Sequence, residues 1–315
     1  MNMKKTSRGK NSIKVPDARV YLVAVLITGA IAALLRTVSM FTAYDSGIGY
    51  FTRGAALPVI ATLLCVAGCV AAVAFPFFSC IDASSVPPVG SRGSSPVYFA
   101  TAYAAFVMIG AFAYEIYRCF TDSTAGKFFE DANAATSAYA ARSLRIQGIL
   151  VIIGIVASGV SAVYFLLRLN EKPGREWQVL LGFAPGLRGV AGLGIYFDMT
   201  VEMNSPNKLM LQAALVSVMI YFLFELRMIL GGKKARPRAY AAAGMAASVL
   251  TASASISIIA GYFSGLVSNS SFFTEAFFCF NMMIYIMVRT AAFVASVHNG
   301  GSAPEPAAEN REKEN

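Results

Sequence analysis

Apolar stretches long enough to cross a bilayer constrain this chain more than any motif does. Eight of them run in series: Val20–Phe41, Gly54–Ser79, Val97–Cys119, Arg145–Arg168, Trp177–Phe197, Leu209–Leu230, Ala239–Val267 and Phe273–Val297. A hydrocarbon core about 30 Å thick needs about 20 mostly apolar residues per helical crossing. With no water to hydrogen-bond, backbone groups there must pair within the segment, so each stretch reads as a helix. The connections are too short for a soluble domain. The expectation is an all-α integral membrane protein, a polytopic bundle of about eight transmembrane helices. Only 14% of residues are charged, against about a quarter in soluble domains.

The domain reading follows. Residues 1–18 form a basic, disordered N-terminal segment, residues 19–298 one bundle with candidate halves 19–168 and 177–298, and residues 299–315 a disordered charged tail. The basic start "MNMKKTSRGKNSIK" resembles a signal-peptide flank. The first apolar run, however, contains Arg36 and no small-x-small cleavage site follows, so a retained first span is expected.

Net charge is +9, which by itself suggests an anionic partner. With eight spans and a cytoplasmic N-terminus, 18 of the 26 Lys and Arg fall on the cytoplasmic side and 6 on the other. That is the positive-inside bias; it places both ends in the cytoplasm and suggests the plasma membrane. The expected partners are therefore the lipid bilayer and anionic headgroups, not nucleic acid. The loop "GGKKARPR" suits anionic lipid or an acidic protein, and a homo-oligomer or membrane-complex partner stays open. Residues 118–145 strain the bias; if "ANAATSAYAARSLRIQG", residues 132–148, is helical, the fourth span extends well beyond the membrane as one long helix.

No phosphate loop, zinc-protease motif or nucleophile elbow is present. Cys65 and Cys69 are spaced as small packing residues, and His298 is the only histidine, so no metal, cofactor or catalytic residue is expected. An intramembrane lipid-modifying enzyme is the weakest of the functional readings.

Chemistry must then come from ionisable groups inside spans, which are costly and therefore functional candidates. They are Arg36, Glu115, Arg118, Arg188, Glu225, Arg227, Glu275 and Arg289. By depth, Arg36 is placed to meet Glu115, and Arg289 to meet Glu225 as an inner ion pair. Such pairs equally serve to fix helix register.

The segment "GFAPGLRGVAGLGIYFD" concentrates the anomalies. Gly182, Gly186 and Gly189 share one helical face and allow close approach of another helix. Pro185 removes a backbone donor and frees the Leu181 carbonyl; with Gly192 and Gly194 it suggests a kinked or broken helix. Breaks of this kind mark substrate sites in transporters. Arg188 either binds an anionic group in a cavity or serves as counter-charge to Glu115 or Glu275.

Three further features complete the candidates. Ser248, Thr251 and Ser255 share a face of the seventh span, as a hydroxyl-lined cavity wall or as a small-residue interface. Asp45, Asp198 and Glu202 form a candidate outer vestibule or a solvated loop. "LRTVSMFTAY" at 35–44 matches "LRGVAGLGIY" at 187–196 in Leu, Arg, Val and Tyr, which suggests a 4+4 parallel internal repeat with Arg36 equivalent to Arg188. Together these favour a small-solute permease or channel-like protein whose substrate set is Arg36, Arg188, Glu115, Ser248, Thr251 and Ser255. The alternative is a non-transporting sensor, assembly factor or membrane subunit.

Overall fold

Helices begin and end where the sequence changes its backbone options. Pro206 and Pro237 each open a helix, where a missing amide proton costs nothing. Gly265, at φ 76°, turns the chain after Phe263, and the amides of Leu266 and Val267 then return to the Gly261 carbonyl. The computed structural model describes residues 18–78, 95–121, 124–169, 176–198, 205–230, 236–267 and 270–299. Its elements are α1 (Ala18–Ala43), β1 (Tyr44–Asp45), β2 (Tyr50–Phe51), α2 (Ala56–Phe78), α3 (Ser95–Thr121), α4 (Thr124–Ala134), α5 (Ala138–Leu169), α6 (Glu176–Leu181), α7 (Ala184–Asp198), α8 (Pro206–Leu230), α9 (Pro237–Phe263) and α10 (Ser270–Asn299).

Among the described residues, seven helices are long and apolar enough to cross a membrane: α1, α2, α3, α5, α8, α9 and α10. The fifth apolar stretch is different. It forms α6 and α7, separated by a turn at Gly182–Phe183. At 1.5 Å per residue, the 15 residues of α7 span about 22 Å, too short to cross alone. The break lies ahead of Pro185, not at it: Pro185 sits in the first turn of α7, where its ring is accommodated. Gly192 and Gly194 do not interrupt the helix; both lie within continuous α7.

The fourth span does extend ahead of Arg145 as one long helix of 32 residues, but it stops short of residue 132. Residues 124–134 form the separate α4, and α5 starts at Ala138. Ser137 stops the merger by capping α5, its Oγ accepting from the Ala140 amide at 3.1 Å. Phe128 and Phe129 of α4 pack on Gly148 of α5. The two-residue hairpin of β1 and β2 was not legible in the apolar pattern; Tyr44 pairs with Phe51 and Asp45 with Tyr50.

The most buried helix is α9: 72% of its most apolar window is inside the protein, against 28% for α1 and for α2. It packs on α1, α2, α8 and α10. Small residues make this possible. Gly29 of α1 and Gly68 of α2 both admit Val249, and Gly244 of α9 admits Thr290 of α10 so closely that no Cβ fits between them. A second group joins α5 to α3, α4 and α7, while α10 touches α3 as well as α9. The two packing groups cut across the sequence halves 19–168 and 177–298. Two markers orient the bundle: the β-hairpin at one end, and at the other the Arg19 Nη2 donation to the Ala295 carbonyl at 3.2 Å.

Candidate functional site

Arg188 sits in the second turn of α7, just past the break, and is 4% exposed. Its Nη1 lies 2.7 Å from Glu275 Oε1 of α10. Its Nη2 donates to Glu115 Oε1 of α3 at 3.0 Å. The guanidinium also stands 5.3 Å from the ring centroid of Phe278, a cation–π distance. One arginine thus holds two carboxylates from two other helices, and the triad carries a formal charge of −1.

Local sequence explains why they meet. Gly192 lies one turn beyond Arg188, and a Cβ there would sit 2.5 Å from Glu275 Oε2. The opposite edge of α7 presents Gly186 and Gly189, where added carbons would touch the Met219 backbone and the Leu215 carbonyl oxygen of α8. At Gly182 an added carbon would collide with Leu226. The stripe of Gly182, Gly186 and Gly189 therefore seats the broken segment against α8, while Gly192 clears space for the acid.

Two cavities flank the triad. One, of about 120 Å³, is lined by Glu115, Arg118, Phe128, Arg188, Ser271 and Glu275. The other, of about 290 Å³, lies between α3 and α10 and is lined by Tyr114, Glu115, Ser158, Arg188, Phe277 and Asn281, among others.

Arg36 is placed elsewhere. It does not meet Glu115, whose carboxylate Arg188 holds. Buried at 2% exposure, Arg36 donates through Nη2 to the Pro206 carbonyl at 2.9 Å and to Asn207 Oδ1 at 3.1 Å, and it lies 5.5 Å from the Phe51 ring centroid. It therefore ties α1 to the start of α8 and to the hairpin. Arg36 lines neither cavity beside Arg188.

At the end of the bundle away from the hairpin, Arg289 Nε lies 3.0 Å from Glu225 Oε1, and Tyr285 donates to the same oxygen at 2.9 Å. Tyr221 and Tyr240 share a hydroxyl hydrogen bond of 2.8 Å beside them. These charges are enclosed by aromatic rings, with Glu225 0% exposed.

The hydroxyls of α9 serve their own helix. Ser248, Thr251 and Ser255 donate to the carbonyls of Gly244, Ala247 and Thr251 at 2.8, 2.5 and 2.6 Å. None of the three lines either cavity at Arg188. Asp45 is exposed and closes the hairpin turn, its Oδ1 accepting from the Gly47 amide at 2.9 Å. Asp198 ends α7 with its side chain outside the described residues, and Glu202 lies outside them altogether.

Phe278 and Asn281 carry no local motif. Spacing along α10 was the available signal: Glu275, Phe278, Met282, Tyr285 and Arg289 recur at three and four residues, one stripe joining both ion clusters. Ends of that stripe are about 21 Å apart at 1.5 Å per residue.

Fold and site define the class, a polytopic α-helical membrane protein. Compared with protein-family models, curated proteins and solved structures, the chain matches none.

Proposed function

We propose that this protein is a small-solute permease or channel-like protein of the plasma membrane, with its solute site at the cavities beside α7. One observation carries the reading: a buried ion triad of net charge −1 lines the wall of two cavities, on a helix too short to span the membrane alone. Ionisable groups are placed at membrane depth at a cost, and discontinuous helices supply such sites in transporters. Arg188 acts as counter-charge and not as the anchor for an anion, because both of its terminal nitrogens hold carboxylates. The loop charges favour both chain ends in the cytoplasm. The experiment is reconstitution in liposomes, with shrink–reswell rates measured for small neutral, anionic and cationic solutes. One class equilibrates faster than in protein-free vesicles, and Glu115→Gln removes the difference while Asp45→Asn keeps it. Identical rates for every class would end the proposal.

A second reading is a membrane subunit that holds a partner helix. It is favoured by an apolar groove of about 660 Å³ between α2, α8 and α9, lined by Val73, Val216, Ile220, Ala243, Ala246 and Leu250. Copurification of a stoichiometric membrane partner, with no flux in liposomes, would select it.

A further inference from the structure

We infer that the cavity between α3 and α10 binds a small organic ammonium ion. This rests on the reading of that cavity as the solute site, and it names the chemistry of the solute.

The argument is one of valences left over. Several polar groups lining this cavity are spent inside the protein. Ser158 Oγ donates to the Gly154 carbonyl at 3.0 Å. Asn281 Nδ2 donates to the Phe277 carbonyl at 2.6 Å, and its Oδ1 accepts from Tyr103. Arg188 gives both terminal nitrogens to carboxylates. Glu115 Oε2 is different: it is buried and accepts no hydrogen bond among the described residues. A buried carboxylate oxygen without a donor is costly, and the partner that relieves it is a donor, best a charged one. Since the triad is already net −1, a cation neutralises it and an anion does not.

The rest of the wall selects the kind of cation. Phe273 and Phe277 line the same cavity with Met108 and Val107, beside Tyr114 and Phe278, whose rings already stand by Arg118 and Arg188. Ring faces attract ammonium groups and offer nothing comparable to the water shell of a small metal ion. Aromatic rings around one carboxylate suit an alkylammonium, whose carbon atoms meet the rings while its charge meets the acid. A volume of about 290 Å³ lies at the small edge of the range for ligand pockets, so the ligand has few heavy atoms. Gly110 opens the wall on α3: a Cβ there would meet nothing within 4 Å.

Isothermal titration calorimetry on the purified full chain in detergent tests this with tetramethylammonium and n-butylammonium chloride. n-Butanol serves as the neutral isostere and sodium chloride as the salt control. The expected result is saturable binding of at least one ammonium compound and none of butanol or sodium. Glu115→Gln weakens it at least tenfold, and Phe277→Leu weakens it severalfold. Gly110→Leu, which fills the open wall without touching a charge and suits a helix better than glycine, abolishes it. Should Glu115→Gln not elute as a folded monodisperse species, Gly110→Leu and Phe277→Leu decide. The inference is overturned if wild-type protein binds neither ammonium compound, if butanol or sodium binds as well, or if Gly110→Leu and Phe277→Leu leave Kd unchanged. Ammonium binding without flux in liposomes would sink the permease reading alone; flux of another solute without ammonium binding would sink this inference alone.

Discussion

Gly192 and Glu275 occupy what would otherwise be the same space: a Cβ on Gly192 would lie 2.5 Å from Glu275 Oε2. The absence of one methyl group on α7 thus sets how deeply an acid from α10 reaches toward Arg188. Gly192→Ala is expected to push the carboxylate off the guanidinium. Overpacking of this kind costs about 1–3 kcal/mol, and the weakened ion pair adds to it. The measurement is thermal unfolding in detergent; a melting temperature equal to wild type would show that Glu275 moves aside freely.

Removing Arg188 has a larger effect than removing either acid. Arg188→Leu leaves two buried carboxylates without their cation, and breaking a buried pair costs about 3–5 kcal/mol. The combination Arg188→Leu with Glu115→Gln and Glu275→Gln removes all charge and recovers much of that loss. Chemical denaturation of the single and triple variants checks the order. Recovery of stability without recovery of flux in liposomes would assign the triad to function as well as folding.

Arg36 should behave unlike Arg188 despite the local sequence match. Its acceptors are the Pro206 carbonyl and the Asn207 amide oxygen, and its ring contact is Phe51. Arg36→Lys keeps the charge but replaces the planar guanidinium, whose Nη2 bonds both acceptors and which faces the Phe51 ring, by a shorter and differently shaped head. A loss of about 1–3 kcal/mol is expected, read as a lower unfolding temperature, with solute flux per folded molecule unchanged. A selective loss of flux would place Arg36 in the solute path.

Hydroxyls on α9 should be dispensable. Ser248→Ala and Ser255→Ala each remove a hydrogen bond to a carbonyl one turn back in the same helix, and the carbonyl keeps its helical partner. Each change should alter stability by less than about 1 kcal/mol and leave liposome flux intact. Gly244→Val is the contrasting substitution. It drives a branched side chain into Thr290, and an overpacking cost of about 1–3 kcal/mol is expected. Unfolding temperatures of the three variants, compared side by side, check the ranking.

The class of fold was legible because membrane crossing depends on length and apolarity, which are properties of single segments. The glycine stripe at 182, 186 and 189 was legible for the same reason, since helical spacing places those residues on one face. The position of the break was not. Pro185 signals a missing donor, but the chain yields earlier, at Gly182–Phe183, which leaves the proline in a first turn that tolerates it. Pairing of charges was legible in part: Arg188 meets both acids named as its counter-charges, Glu115 and Glu275. Glu225 and Arg289 lie at similar depth and meet. Glu115 lies at a depth that suits both Arg36 and Arg188, and which of the two it meets depends on helix neighbourhood, α3 lying against α10 and α5 and Arg36 lying beside α8. Likewise, three hydroxyl residues on one face of α9 read as a cavity wall or as a packing seam until neighbours are known on every side.

The glycine-lined seat of α7 has a chemical consequence. Gly186 and Gly189 let α8 approach closely, Gly189 facing the Leu215 carbonyl oxygen and Gly186 both the backbone and the side chain of Met219. Leu226 and Tyr164 lie over Gly182 at the break, Glu275 and Glu115 grip Arg188 in the second turn, and Leu150 of α5 packs on Gly194 further along. The charged contact at Arg188 is the part of this seat that a competing cation would meet, because Glu115 belongs to it.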